Sequence, residues 1–183
     1  MGEVIAGMVM SLDGFVQDRN GETGLLYAAF DELMATELMQ EQIATTGAVV
    51  MGRNSYNASH DYSDYEFQVP LFIVTHQAPE TPAKGENGKL SITFVTDGVN
   101  SAIEKARAAA GDKNVVIVGG ANVIQQCLKA GLVDILQIDL MPILLGDGLR
   151  LFEHLETEPI RLENVKVVDI PGGGMDITYR VLR

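Results

Sequence analysis

A chain of 183 residues, 46% of them hydrophobic, has the length and composition of one globular domain spanning 1–183. Its formal net charge of −12 argues against non-specific contact with nucleic acid or an anionic membrane, both of which want basic surface. No apolar run approaches the roughly 18 residues of a membrane span, Met1-Gly2-Glu3-Val4 lacks the basic start of a secretory signal, and a single cysteine, Cys127, allows no disulfide framework, so a cytoplasmic location is expected.

Val4 to Met10 is a short apolar run without polar alternation, which predicts a strand covered on both faces. The turn signal Ser11-Leu12-Asp13-Gly14 ends it. After a polar loop with Asp18, Asn20, Gly21 and Gly24, the spacing of Phe30, Leu33, Met34 and Leu38 predicts one helix that ends near Thr46-Gly47. Ala48 to Met51 is a second buried strand and runs into Gly52-Arg53-Asn54-Ser55. Asp61, Asp64 and Glu66, with Tyr62 and Tyr65 between them, read as a mobile surface loop. Leu71 to Val74 is a third strand, and the Pro- and Gly-containing stretch from Gln77 to Gly88 is a surface connection. Ile92 to Val95 is a fourth strand. A helix follows, with Val99, Ala102, Ile103 and Ala106 on its apolar face. Val115 to Val118 is a fifth strand, which Gly119-Gly120 breaks into a helix striped by Val123, Ile124, Cys127 and Leu128, with Gly131 as its stop.

The last third changes character. Leu136, Ile138 and Leu140 alternate with Gln137 and Asp139, the period of a strand exposed on one face and a surface for a homodimer. Leu162 to Ile170 is a further strand, Gly172-Gly173-Gly174 a hairpin connection, and Ile177, Tyr179 and Val181 alternate with Asp176, Thr178 and Arg180. Strands first alternate with helices and then follow one another. That order predicts an α/β fold: a mostly parallel central sheet flanked by helices, with antiparallel strands at its C-terminal edge.

Four stretches bear on chemistry. In Gly52-Arg53-Asn54-Ser55 a strand stops at a glycine and an arginine fork sits beside free amides, a setting for phosphate oxygens. A charge-assisted bond there is worth about 1.5–3 kcal/mol, and an ordinary turn with a solvated arginine is the plain alternative. Gly119-Gly120 before a helix lets phosphates approach backbone amides, or else serves tight strand–helix packing. Asp13 lies just past the carboxyl end of a central strand, where open α/β sheets place ligands, although Asp-Gly is also good turn chemistry. Pro142 to Phe152 carries no nucleophile, base or metal set and reads as a glycine-shaped loop. His60, His76 and His154 are scattered without metal-site spacing, and Cys127 on its apolar stripe reads as a buried structural thiol.

Val50-Met51-Gly52-Arg53, Val118-Gly119-Gly120 and the segment from Pro142 to Phe152, in that order, resemble the dihydrofolate-reductase-like superfamily. Within it the chain is similar to stand-alone relatives of the C-terminal reductase domain of bacterial riboflavin biosynthesis, the bifunctional deaminase-reductase. Ser11-Leu12-Asp13-Gly14 and Leu145-Gly146-Asp147-Gly148 with Leu151-Phe152 are typical of that branch, and the resemblance covers Val4 to Leu182. It implies a homodimeric, NADPH-dependent reductase that transfers a hydride to a small heterocycle, pterin- or folate-like or a riboflavin-pathway pyrimidine. By the same resemblance Gly52, Arg53, Asn54 and Ser55 contact the cofactor's phosphates. Gly119, Gly120, Ala121, Asn122 and Val123 hold the pyrophosphate, and Thr75 and His76 read the adenosine 2′-phosphate. The chain departs from folate reductases in having no tryptophan, and basic partners for a ribose phosphate are not identifiable. Asp13 is the first candidate for orienting substrate or handling a proton, and Asp31 the second. The competing reading is a nucleotide-binding protein that keeps the fold without the reaction.

Overall fold

The computed structural model describes residues 2–155 and 158–182. In chain order these form β1 (Val4–Ser11), β2 (Phe15–Asp18), α1 (Phe30–Met34), α2 (Glu37–Thr45), β3 (Thr46–Gly52), α3 (Arg53–Asn57), β4 (Leu71–Val74) and β5 (Ile92–Val95). There follow α4 (Val99–Ala110), β6 (Asn114–Ile117), α5 (Ala121–Lys129), β7 (Ile135–Met141), β8 (Gly148–Arg150), β9 (Arg161–Ile170) and β10 (Gly174–Leu182). A 3₁₀ turn at Pro171–Gly173 joins the last two strands.

Eight strands make one sheet in the order β5-β4-β3-β6-β1-β7-β10-β9. The pairings from β5 through to β7 are parallel, and β10 and β9 add antiparallel strands. Apolar runs without alternation make the central strands: Val4, Ala6, Ala48, Val49, Val50 and Ile117 are fully buried, as expected of strands covered on both faces. One face is packed by α4 and α5, where Val4, Ala6, Val50 and Ile117 meet Ala102, Ala106, Ile124 and Cys127. Truncating a residue such as the fully buried Ile124 to Ala should cost about 2–5 kcal/mol. Burial pushes the Cys127 thiol up to about 12, which suits its structural role.

The other face is covered unevenly, and the site depends on it. The expected single helix from Phe30 to Thr46 is two helices, α1 and α2, because Thr36 bonds its own backbone surroundings. Its hydroxyl donates to the Leu33 carbonyl at 2.7 Å and accepts from the Met39 amide at 3.3 Å, the local competition that takes threonine out of helix interiors and into caps. The break lets Phe30 and Leu33 on one side, and Met39 and Gln42 on the other, line a common cleft. The acidic stretch read as a mobile loop is a connection whose Asp61 and Asp64 are exposed but whose Tyr62 is anchored in the core. Tyr62 is buried, stacks on Tyr56 with centroids 5.5 Å apart, and donates its hydroxyl to the Tyr56 carbonyl at 2.8 Å.

β7 is also different from the expectation. It lies between β1 and β10 with Leu136 and Ile138 buried, so both of its edges are paired within the sheet. Its polar residues face the cleft rather than bulk solvent. Alternation reports two unlike faces, and a strand lining a polar cavity produces the same pattern as a strand facing water. The exposed apolar strand is β9, where Val165 and Val167 are each 51% exposed. Gly172 and Gly173 carry positive φ, 82° and 76°, and make the β9–β10 connection read from the three glycines.

Candidate functional site

At the carboxyl ends of β3 and β6, neighbours in the sheet, the two glycine stretches come together. The Gly52 amide donates to the Gly119 carbonyl at 2.8 Å, and the Val118 amide donates to the Val50 carbonyl at 3.1 Å. A β-carbon on Gly52 would lie 3.0 Å from Val123 Cγ2 and 3.2 Å from the Gly120 nitrogen, so the two strand ends approach closer than a side chain allows. The glycine pair divides its work. Gly119 has φ 119° and little room, with Met8 Sδ and Ser55 Oγ both 3.3 Å from where a β-carbon would sit. Gly120 has φ −74°, and a β-carbon there would meet only Ser55 Oγ at 3.5 Å. The peptide between them is cis.

Gly120 is the N-cap of α5 and contributes no side-chain cap; its carbonyl accepts from the Val123 and Ile124 amides at 3.0 and 3.3 Å, which leaves the Ala121 and Asn122 amides as those with no acceptor within the helix. Ala121 and Val123 are buried and anchor the helix start, whereas Asn122 is exposed and bonds Gln126. Arg53 reaches across to β4's end. Its guanidinium donates to Thr75 Oγ1 at 3.3 Å and to the Gln77 carbonyl at 2.7 Å, and its Nε donates to Asn57 Oδ1 at 3.2 Å. All these acceptors are neutral, which leaves the charge of Arg53 available to an anion. Asn54 and His76 are exposed nearby in the chain, and Ser55 and Thr75 are half-buried. A backbone cradle with a helix start and an uncompensated arginine fits a dinucleotide phosphate chemically. The structure thus brings Gly52, Arg53, Ser55, Thr75, Gly119 and Gly120 to one edge of the sheet.

Neither aspartate belongs to this junction, although Asp13 follows the carboxyl end of β1, the neighbour of β6 in the sheet. Both oxygens of Asp13 are engaged: Oδ1 accepts from Ser11 Oγ at 2.6 Å and the Leu145 amide at 3.1 Å, and Oδ2 accepts from the Gly146 amide at 2.7 Å. These bonds, the one from Ser11 foremost, hold the Asp13 carboxyl below its ordinary value. Asp13 therefore ties the end of β1 to the loop after β7. Asp31 is exposed on α1 and is absent from the cleft lining.

Beside the glycine junction lies a cleft of about 110 Å³ between α1, α2 and the sheet. Met8 and Val118 line it, and they also flank Gly119, so the two features are continuous. Gln137 and Asp139 on β7 face the cleft together with Tyr27, Gln42 and Glu66. Behind them Asp176 on β10 is fully buried, opposite Asp139 in the strand register. Asp176 Oδ2 accepts from Gln137 Nε2 at 2.6 Å, its Oδ1 accepts from Thr178 Oγ1 at 3.2 Å, and Gln42 Nε2 donates to Gln137 Oε1 at 3.4 Å. Burial, then the Asp176 charge and a hydrogen bond to it, push Asp139 up to about 7. Ionising Asp139 in this buried setting, beside the Asp176 charge, is costly, so Asp139 keeps its proton to higher pH than an exposed carboxyl does. Burial raises Glu66 as well. Tyr27 is pushed up to about 12 by burial and by the charges of Asp139 and Glu66.

None of these cleft residues was singled out for chemistry in the sequence. The available signal was a pair of strands, Leu136 to Leu140 and Asp176 to Val181, each with one polar face. Pairing them in register would have set Asp139 against Asp176.

Similarity to known proteins agrees with this architecture. The model of the RibD C-terminal domain matches residues 3–174. The Bacillus subtilis (strain 168) protein YyaP is 25% identical over 182 residues, covering 96% of this chain and 93% of its own. A Shewanella sp. PV-4 crystal structure, provisionally assigned to riboflavin biosynthesis, superposes with a TM-score of 0.80 at 25% identity over 99% of both chains. The Thermotoga maritima diaminohydroxyphosphoribosylaminopyrimidine deaminase/5-amino-6-(5-phosphoribosylamino)uracil reductase shares the fold, with a TM-score of 0.64 at 13% identity. That match covers 99% of this chain and 57% of the Thermotoga chain.

Proposed function

The chain belongs to the RibD C-terminal domain family, and from that membership we propose that it is an NADPH-dependent reductase acting on a small heterocycle. One observation carries the reading: a glycine-built backbone cradle at the β3/β6 edge runs into an acid-lined cleft through Met8 and Val118. In this reading Gly52, Arg53, Asn54 and Ser55, with Gly119 to Val123, hold the phosphates of NADPH, and Thr75 and His76 meet the 2′-phosphate. When bound, the cofactor supplies the hydride. The chain's own part is orientation, exclusion of water and proton handling. Val9, Phe30, Leu33 and Phe67 give the cleft apolar walls, and the Asp139 carboxyl, pushed up to about 7 by burial and by Asp176, is a proton-holding group that faces it. Asp13 and Asp31 remain candidates for orienting substrate from outside the cleft.

Calorimetric titration tests the cofactor: NADPH should bind with higher affinity than NADH, and equal affinities would refute the phosphate assignment. Oxidation of NADPH on addition of a pyrimidine or pterin, followed at its near-ultraviolet absorbance, tests the reaction. Tight binding without turnover across such a panel would favour the nucleotide-binding protein. The proposal includes a cytoplasmic homodimer, with β9 as the pairing strand, since Leu162, Val165 and Val167 expose apolar surface there. Light scattering that shows a monomer at micromolar concentration would remove that part.

A further inference from the structure

The sign of the cleft's lining says what kind of substrate it admits. The following rests on the reductase reading for the reaction but on the cleft alone for recognition. Its titratable groups come from separate elements: Asp139 from β7, Glu66 from the connection after α3, Tyr27 from the connection before α1, with Asp176 behind from β10. Gln42 and Gln137 complete the polar lining, and no lysine, arginine or histidine stands among the described lining residues. Arg53 lies at the glycine junction, bonded to Thr75 and Gln77, while Arg107 pairs with Asp134, Arg150 sits over the Phe15 ring at 4.4 Å and Arg180 pairs with Glu3; none of these four lines the cleft.

A phosphate entering this space would meet carboxyl groups with no cation to offset them, and repulsion in a poorly solvated cleft is strong. An N–H donor meets the opposite situation. The carboxyl oxygens of Asp139 and Glu66 face the cleft as acceptors, and a donor-rich or cationic ring edge supplies the N–H groups they can bond. We propose that the cleft selects a nitrogen heterocycle that carries N–H donors and no phosphate, bound along its edge by the carboxyl groups of Asp139 and Glu66. Asp176 is a positioning residue: through Gln137 and its bond to Asp139 it holds the two cleft-facing polar side chains of β7 in place. The Thermotoga maritima relative is named for a phosphoribosylated uracil. This chain is thereby assigned a ring without that group.

Matched probes test the proposal by calorimetry, on the free protein and with saturating NADPH. 2,4-Diaminopyrimidine should bind roughly tenfold or more tightly than 2,4-dimethoxypyrimidine, the same ring without N–H donors. 5,6-Diaminouracil should bind at least as well as 5-amino-6-(5-phosphoribosylamino)uracil. Asp139→Asn and Glu66→Gln should each weaken 2,4-diaminopyrimidine binding on the order of tenfold while leaving NADPH affinity unchanged. Should Asp139→Asn fail to fold, Glu66→Gln, at a half-buried position, carries the same comparison. Tighter binding of the phosphoribosylated ring, equal binding of the diamino and dimethoxy rings, or no binding of any of them overturns the proposal. If 2,4-diaminopyrimidine binds as stated but NADPH does not, the reductase reading fails and the recognition chemistry stands.

Discussion

The glycine junction and the cleft meet at Met8 and Val118, yet they are made from different materials. The junction is backbone: amides, carbonyls and missing β-carbons at the ends of β3 and β6, with Arg53 added from the first residue of α3. The cleft is side chain: Tyr27, Glu66, Asp139 and Asp176 arrive from four places far apart in the chain. A backbone site is sensitive to any added atom, and its own amides do not titrate. A site of clustered carboxyls is tuned by charge and pH. Substitutions on the two sides should therefore fail in different ways.

The largest effect belongs to the junction. Gly120→Ala has room in the fold and an ordinary φ, so its melting temperature should stay close to that of the unchanged protein. The added methyl occupies the approach to the open amides of α5, and losing contacts worth about 1.5–3 kcal/mol each should weaken NADPH on the order of 100-fold. A variant that melts early yet binds NADPH normally would make the glycine structural and return the phosphates to another place. Gly119→Ala is the internal contrast. Its positive φ and the nearby Met8 sulfur should make it lose stability.

Arg53→Ala comes next. It should cost about 1.5–3 kcal/mol of NADPH binding and much less of NADH binding, as measured by calorimetry. An equal loss for the two cofactors would mean that Arg53 does not read the extra phosphate.

On the cleft side the readout is pH. The folded-state value of Asp139 is raised, so its proton stabilises the fold at low pH, and that contribution is lost as pH rises from about 4 to about 7. Asp139→Asn keeps a donor toward Asp176 and cannot ionise. Relative to the unchanged protein it should therefore gain stability with rising pH, on the order of 2–4 kcal/mol by pH 8. Parallel stability curves from pH 4 to pH 8 would show that the carboxyl pair is not coupled as described. The smallest effect is expected at Asp31, exposed and outside the cleft: Asp31→Asn should change stability by less than about 0.5 kcal/mol. Loss of turnover in that variant would restore Asp31 as a participant.

How much of this was readable in advance follows the same division. Gly52, Arg53, Gly119 and Gly120 were found because strand, glycine and helix start are adjacent in sequence, and adjacency alone places amides at a strand's carboxyl end. Gln137, Asp139 and Asp176 were visible as polar alternation but were assigned to solvent, since a period of two does not say what lies beyond the face. Glu66 was lost in a stretch taken for a surface loop, because the packing of Tyr62 on Tyr56 is a tertiary contact.

The sequence by itself determined the order of the main strands and helices, the mostly parallel sheet, the double-sided burial of β3 and β6, and the place of the glycine junction. Each of these depends on residues close together in the chain. Only the tertiary structure decided that β7 is internal, that Thr36 divides the helix, and that Asp139 stands against Asp176 beneath Glu66 and Tyr27. Those facts depend on which strands pair and in which register. A carboxyl group acquires its proton and its preference for partners only from the neighbours that pairing brings to it.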